Sequence, residues 1–144
     1  MRLLFSFAFL ILLNTLSAQP DRWQQAVKYE IDVDFDVNKH QFTGEEELKY
    51  TNNSPDELNK VFYHLYFNAF QPGSMMDVRS RTIVDPDRRV ASRINSLKPN
   101  EIGYHRITSL KHDGKPVKYE VVGTILEVTL DKPIAANSKT TFEM

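Results

Sequence analysis

Between Val27 and Val37 every second residue is apolar: Val27, Tyr29, Ile31, Val33, Phe35 and Val37 alternate with Lys28, Glu30, Asp32, Asp34 and Asp36. Side chains repeat every two residues only along a strand, so no helix can gather this set on one face. The run therefore predicts a strand with one dry and one wet face. Asn38-Lys39-His40 follows as a turn. Phe42, Gly44, Glu46, Leu48 and Tyr50 then share one face, with Thr43, Glu45, Glu47 and Lys49 on the other, which predicts a second strand paired antiparallel to the first.

The rest of the chain continues in the same manner. Asn52-Asn53-Ser54-Pro55-Asp56 is a turn cluster. The stretch Val61 to Phe67 is apolar or aromatic on both faces, which fits a central strand covered on both sides; a buried helix shows the same run, but β-branched and aromatic content favours the strand. Residues 68 to 103 form a long excursion broken by Pro72-Gly73, Pro86 and Pro99, with a short helix predicted from Asp87 to Leu97. Ile107 to Lys111, Val117 to Val121, Ile125 to Leu130 and Lys139 to Met144 read as strands, the first two joined by an Asp113-Gly114 hairpin turn. The predicted class is all-β: an antiparallel β-sandwich with one long loop or short-helix excursion. An open sheet or a partly closed barrel fits the same pattern. Because Met144 falls within a strand, the expectation is a sandwich incomplete at its C-terminus, the N-terminal portion of a longer protein.

Ahead of the strands, Met1-Arg2, the apolar block Leu3 to Leu13 and the small residues ending at Ala18 have the layout of a secretory signal peptide. The block is short of the roughly 20 apolar residues that span a bilayer. The expectation is residues 1–18 as signal peptide and 19–144 as one β-domain, exported to a periplasmic or extracellular space with no stable membrane anchor after cleavage. With no cysteine in its 144 residues, the chain has no disulfides and must be held by an apolar core, for which its 41% hydrophobic content suffices. A formal charge of −1 argues against nucleic acid as a partner.

Catalytic chemistry is not legible. The histidines, His40, His64, His105 and His112, lack the spacing that puts two imidazoles on one helix face around zinc. His64 is expected in the core, His40 and His112 in solvent beside turns, and His105 in either place. Of Glu45-Glu46-Glu47, only Glu45 and Glu47 share a strand face, and with the ladder Asp32, Asp34 and Asp36 they are expected as a solvated face. Arg79, Arg81, Arg88, Arg89 and Arg93, interleaved with Asp77, Asp85 and Asp87, read as surface ion pairs. Asn52-Asn53-Ser54 is a glycosylation sequon that matters only in a glycosylating host. No catalytic, cofactor-binding or metal residue is assigned.

Two strings carry a resemblance. Tyr29 to Asp36 leading to Phe42-Thr43-Gly44-Glu45-Glu46-Glu47-Leu48-Lys49-Tyr50, and Thr51 to Gln71 with Val61-Phe62-Tyr63-His64-Leu65-Tyr66-Phe67-Asn68-Ala69-Phe70, resemble the N-terminal domain of the aminopeptidase N family of zinc metallopeptidases, in particular its secreted bacterial members. The Ile107 to Leu130 hairpin and Lys132-Pro133-Ile134 are similar as well. The resemblance implies a saddle-like β-domain capping an active-site cleft. The family's Gly-x-Met-Glu-Asn loop and His-Glu-x-x-His zinc helix are absent from this sequence, so no catalytic residue carries over.

The resemblance thus implies a non-catalytic part of an exported enzyme that removes N-terminal residues from peptides. No cofactor is expected in this chain and zinc is expected in the parent, where a metal-bound water and a glutamate base would act. Peptide substrate would be met only through a catalytic domain. The alternative is a free-standing exported β-sandwich that binds glycan or protein through its long excursion.

Overall fold

A computed structural model of the chain describes residues 23–83 and 87–144; the expected signal peptide lies outside them. The alternation beginning at Val27 becomes β1 (Ala26–Asp36), and a turn over 37–40 returns the chain as β2 (Gln41–Asn52). The two pair antiparallel along their full length, with Tyr29 opposite Leu48, Val33 opposite Gly44 and Phe35 opposite Phe42. β3 (Leu58–His64) follows, then a 3₁₀ turn over Tyr66–Phe70, helix α1 (Met75–Thr82) and a second 3₁₀ turn at Ile94–Ser96. The chain re-enters sheet as β4 (Lys111–His112), β5 (Lys115–Pro116), β6 (Lys118–Val122), β7 (Ile125–Ile134) and β8 (Ser138–Glu143).

These strands form two antiparallel sheets, ordered β1-β2-β8-β4-β5 and β3-β7-β6, and neither closes into a barrel. Their facing sides meet in one core. Leu48 and Phe142 come from the first sheet and Leu126, Val128, Leu130 and Ile134 from the second, with Leu65 and Leu110 closing the cluster. Tyr63 of β3 meets Phe142 of β8 edge-on, their ring centroids 6.2 Å apart. The all-β class with a small helical excursion is therefore the architecture of the described residues.

A buried polar knot fastens one end of the core. Asn52 is fully buried, and its side-chain amide donates to the carbonyls of Asp56 at 2.8 Å and Ala135 at 3.0 Å. Its oxygen accepts from the Ser54 hydroxyl at 2.6 Å, the Ser54 N–H at 3.1 Å and Gln25 Nε2 at 2.9 Å. One side chain thus ties the end of β2 to the turn after it, to the β7–β8 turn and to the segment entering β1. A buried amide with all its capacity used is structural. Folded protein cannot accept a glycan on Asn52, so the sequon is not usable once the domain has formed.

Four local expectations are corrected. The stretch from Val61 is not a central strand covered on both sides: β3 lies at the edge of its sheet, with Phe62 59% exposed, and it stops at His64 before the chain tightens into the 3₁₀ turn. The centre belongs to β7. No helix runs from Asp87 to Leu97, because Ala91 turns left-handed at φ 38° and ends the turn that Asp87 starts; only Ile94–Ser96 winds, burying Ile94. The helix lies instead at Met75–Thr82, where the Ser74 hydroxyl accepts the Asp77 N–H at 3.1 Å as an N-cap. Finally, the strand expected from Ile107 shrinks to Lys111–His112, although Asp113 (φ 49°) and Gly114 (φ 76°) do form the tight turn expected there.

Candidate functional site

Each strand of a sheet needs neighbours to pair its backbone and a layer to cover its apolar face, and the β1–β2 hairpin lacks part of both. β8 runs beside β2 from Glu47 to Asn52, and the ladder is still in register at Met144, the last residue of the sequence, where the Glu46 N–H donates to the Met144 carbonyl and the Met144 N–H to the Glu46 carbonyl, each at 2.9 Å. From Gln41 to Glu45, β2 has β1 on one side and, among the described residues, no strand on the other. Backbone direction alternates along a strand, so Phe42 and Gly44 point their N–H groups to the same side as Glu46, the open side.

The apolar face of the hairpin is equally bare. Tyr29, Ile31, Val33 and Phe35 are 52 to 57% exposed, against 6% for Leu48 on the same face. Both faces of β1 therefore meet solvent, a correction to the single wet face its alternation implied. Fully burying such a side chain is worth about 1.5–3 kcal/mol, so each leaves roughly half of that unrealised. Phe42, near the turn, meets the rings of Phe67 and His105 at 6.2 and 6.0 Å.

The opposite face of the hairpin is acidic. Glu30 lies directly across from Glu47, and Asp32 from Glu45, cross-strand like-charge pairs that destabilise a bare sheet. Beside the open edge is a concavity of about 410 Å³, lined by these four carboxylates with Glu143, Lys111 and Ser109. Lys49 pairs with Glu47 at 2.7 Å and Lys111 with Glu143 at 3.2 Å, so most of the negative charge is left unmatched. The consecutive glutamates divide as expected, Glu45 and Glu47 to this face and Glu46 to the apolar one. There burial pushes the Glu46 carboxyl up. The Tyr63 hydroxyl is buried without a hydrogen-bond partner, and burial, then the Glu46 charge, raises it.

The remaining candidates are structural. His112 is not solvated as expected: it is buried, stacked on Phe142 at 4.8 Å, with Nε2 2.6 Å from the Thr140 hydroxyl. That hydroxyl donates to Asp113 at 2.8 Å, so it accepts from the His112 Nε2–H. Thr140 thus donates its hydrogen bond to the carboxylate and accepts one from the histidine, the reverse of a nucleophile activated by histidine. Burial raises the Asp113 carboxyl, but the Thr141 N–H and Thr140 hydroxyl outweigh it and leave the group below its ordinary range. His64 is exposed and stacked on Tyr66 at 5.4 Å, not in the core, while His40 lies exposed in its turn. His105 is half-buried against Phe67, which lowers its pKa.

In the excursion, Arg81 grips Asp77 through two hydrogen bonds of 2.9 and 3.1 Å, and the Gly73 N–H adds a third at 2.8 Å. The Arg81 bonds, then that of Gly73, hold the buried Asp77 carboxyl below its usual range. This is a fully used capping pair, not a surface one. Arg89 pairs with Asp87 in solvent and holds it at about 2, as the ion-pair pattern implied. Among the described residues no three histidine, aspartate or glutamate side chains converge to hold a metal. They offer zinc no donor set.

No protein-family model, no curated protein and no solved structure matches this chain.

Proposed function

We propose that the chain is the non-catalytic β-domain portion of an exported zinc aminopeptidase, with Met1 to Ala18 as its export signal. The observation that carries this is the bare apolar face of the β1–β2 hairpin. Tyr29, Ile31, Val33 and Phe35 form a contiguous stripe, about half exposed, that a domain working alone would cover and a domain seated against more protein would use. The strings from Tyr29 to Tyr50 and Thr51 to Gln71, which resemble the opening of the aminopeptidase N domain, form this hairpin, β3 and the turn after it. The domain would act by positioning, as one wall of a peptide-binding cleft whose zinc, general base and amine-binding groups come from elsewhere.

The exposed stripe also suits the second reading, a free-standing exported module that binds protein or glycan. An antibody against residues of this chain separates the two when the polypeptide that carries them is captured from its own cells. The proposal expects that polypeptide to contain His-Glu-x-x-His by peptide mass mapping. It should hydrolyse aminoacyl nitroanilides, lose the activity to a zinc chelator and regain it with zinc, whereas the 144-residue chain alone is inactive. A captured polypeptide with neither the motif nor the activity would leave the binding module as the better account.

A further inference from the structure

We infer that Asn52 is a residue at which asparagine-linked glycosylation and folding exclude each other, so that the exported chain matures in a compartment that transfers no glycan to Asn-x-Ser. Asn52-Asn53-Ser54 is the one such sequon in the sequence. Attachment bonds Nδ2 to the anomeric carbon of a pyrophosphate-activated oligosaccharide; the pyrophosphate carrier leaves, and Nδ2 gives up one of its two hydrogens as a proton. In the folded domain both hydrogens are committed, to the Asp56 carbonyl at 2.8 Å and the Ala135 carbonyl at 3.0 Å. Asn52 is 0% exposed and Ser54, the other half of the sequon, 1%. A sugar there breaks the knot and has no space to occupy.

The order of synthesis decides which event comes first. The chain enters an export compartment N-terminus first, and the partners that bury Asn52 are made late. Ala135 lies 83 residues further on. Asn137, whose N–H binds the Ser54 carbonyl at 3.3 Å, and Ser138, opposite Asn52 across β2 and β8, come later still. Synthesis at roughly 5–20 residues per second puts Ala135 about 4–17 s behind Asn52. For most of that interval β1 and β2 are the strands that already have a partner, since β3 pairs with β7. An isolated hairpin is marginal in water. The sequon is therefore presented unburied to a transferase at the point of entry, and a glycan added then prevents the β7–β8 turn from closing over Asn52.

The conflict belongs to this one position. The neighbouring Asn53 is exposed and has room for a sugar, but Ser54-Pro55 follows it, so it is no acceptor. The inference rests on the reading of Met1 to Ala18 as an export signal, because a chain that stays in the cytoplasm meets no transferase. It does not depend on the peptidase reading, which is decided by the capture and hydrolysis experiment.

The test expresses the chain in a glycosylating eukaryotic cell, with residues 1–18 exchanged for that cell's own leader so that entry does not depend on them. Retained chain should carry a glycan on Asn52, seen as a mass shift that a glycosidase removes, and should be cut rapidly by protease. Depleting the lipid-linked donor with an inhibitor of its synthesis should return unmodified, protease-resistant chain to the medium. In a cell-free assay, transferase and donor should modify a peptide of residues 48–58 and leave the folded chain unmodified. A secreted, protease-resistant chain with a glycan on Asn52, efficient secretion of unmodified chain while the donor is present, or retention that persists without the donor would each overturn the inference. Retention in the cytoplasm of a bacterium that expresses the chain with its own Met1 to Ala18 would overturn it through the export reading alone.

Discussion

The two strands of the β1–β2 hairpin share one pattern and meet opposite fates. On β2, Leu48 belongs to the buried cluster with Phe142, Leu126 and Val128. On β1, Tyr29 directly opposite Leu48, and Val33 and Phe35 toward the turn, obey the same alternation and stand more than half exposed. Alternation therefore decides which face is apolar, not whether anything covers it. Cover comes from the second sheet, and β7 reaches over only part of the first.

The largest expected effect breaks this comparison at its dry end. Phe142→Ala should cost about 3–5 kcal/mol in chemical denaturation, because it empties the space between Tyr63, His112 and the β7 side chains. Val33→Thr, equally apolar in the pattern but exposed, should change stability by no more than about 0.5 kcal/mol. Similar costs at the two positions would mean that Val33 is covered in solution. The next effect is polar. Asn52→Ala should cost about 3 kcal/mol by the same measurement, since it strands the Asp56 and Ala135 carbonyls and Ser54 in the interior. A loss below 1 kcal/mol would show that water replaces the amide there.

Strand identity was legible in most period-two runs: β1, β2, β7, β8 and the Asp113-Gly114 turn all fall close to where the sequence places them, whereas the alternating run from Ile107 is strand only at Lys111–His112. The errors fall where local pattern and tertiary placement part. Val61 to Phe67 is apolar on both sides, yet the strand is at an edge, because rank within a sheet is set by pairing partners that a single segment does not name. The α1 helix carries a signal that the spacing of Val90, Ile94 and Leu97 does not contain, Ser74 followed three residues later by Asp77. His112 looked solvated because it adjoins a turn; its burial comes from Thr140 and Phe142, nearly thirty residues away. The acidic edge was read correctly as a strand face. Its opposed carboxylates emerged only with the register, which sets Glu30 against Glu47 and Asp32 against Glu45.

The central claim is that β2 is paired on both sides in one half and on a single side in the other. Residue-resolved amide exchange on the free chain tests it directly. Leu48 and Tyr50, whose N–H groups face β8, should be protected, and Phe42 and Gly44, whose N–H groups face the open side, should exchange at nearly the rate of unstructured chain while Thr43 and Glu45 stay protected by β1. Protection at Phe42 and Gly44 matching that at Leu48 and Tyr50 would mean that this half of β2 is paired on both sides in the free chain, and would contradict the account.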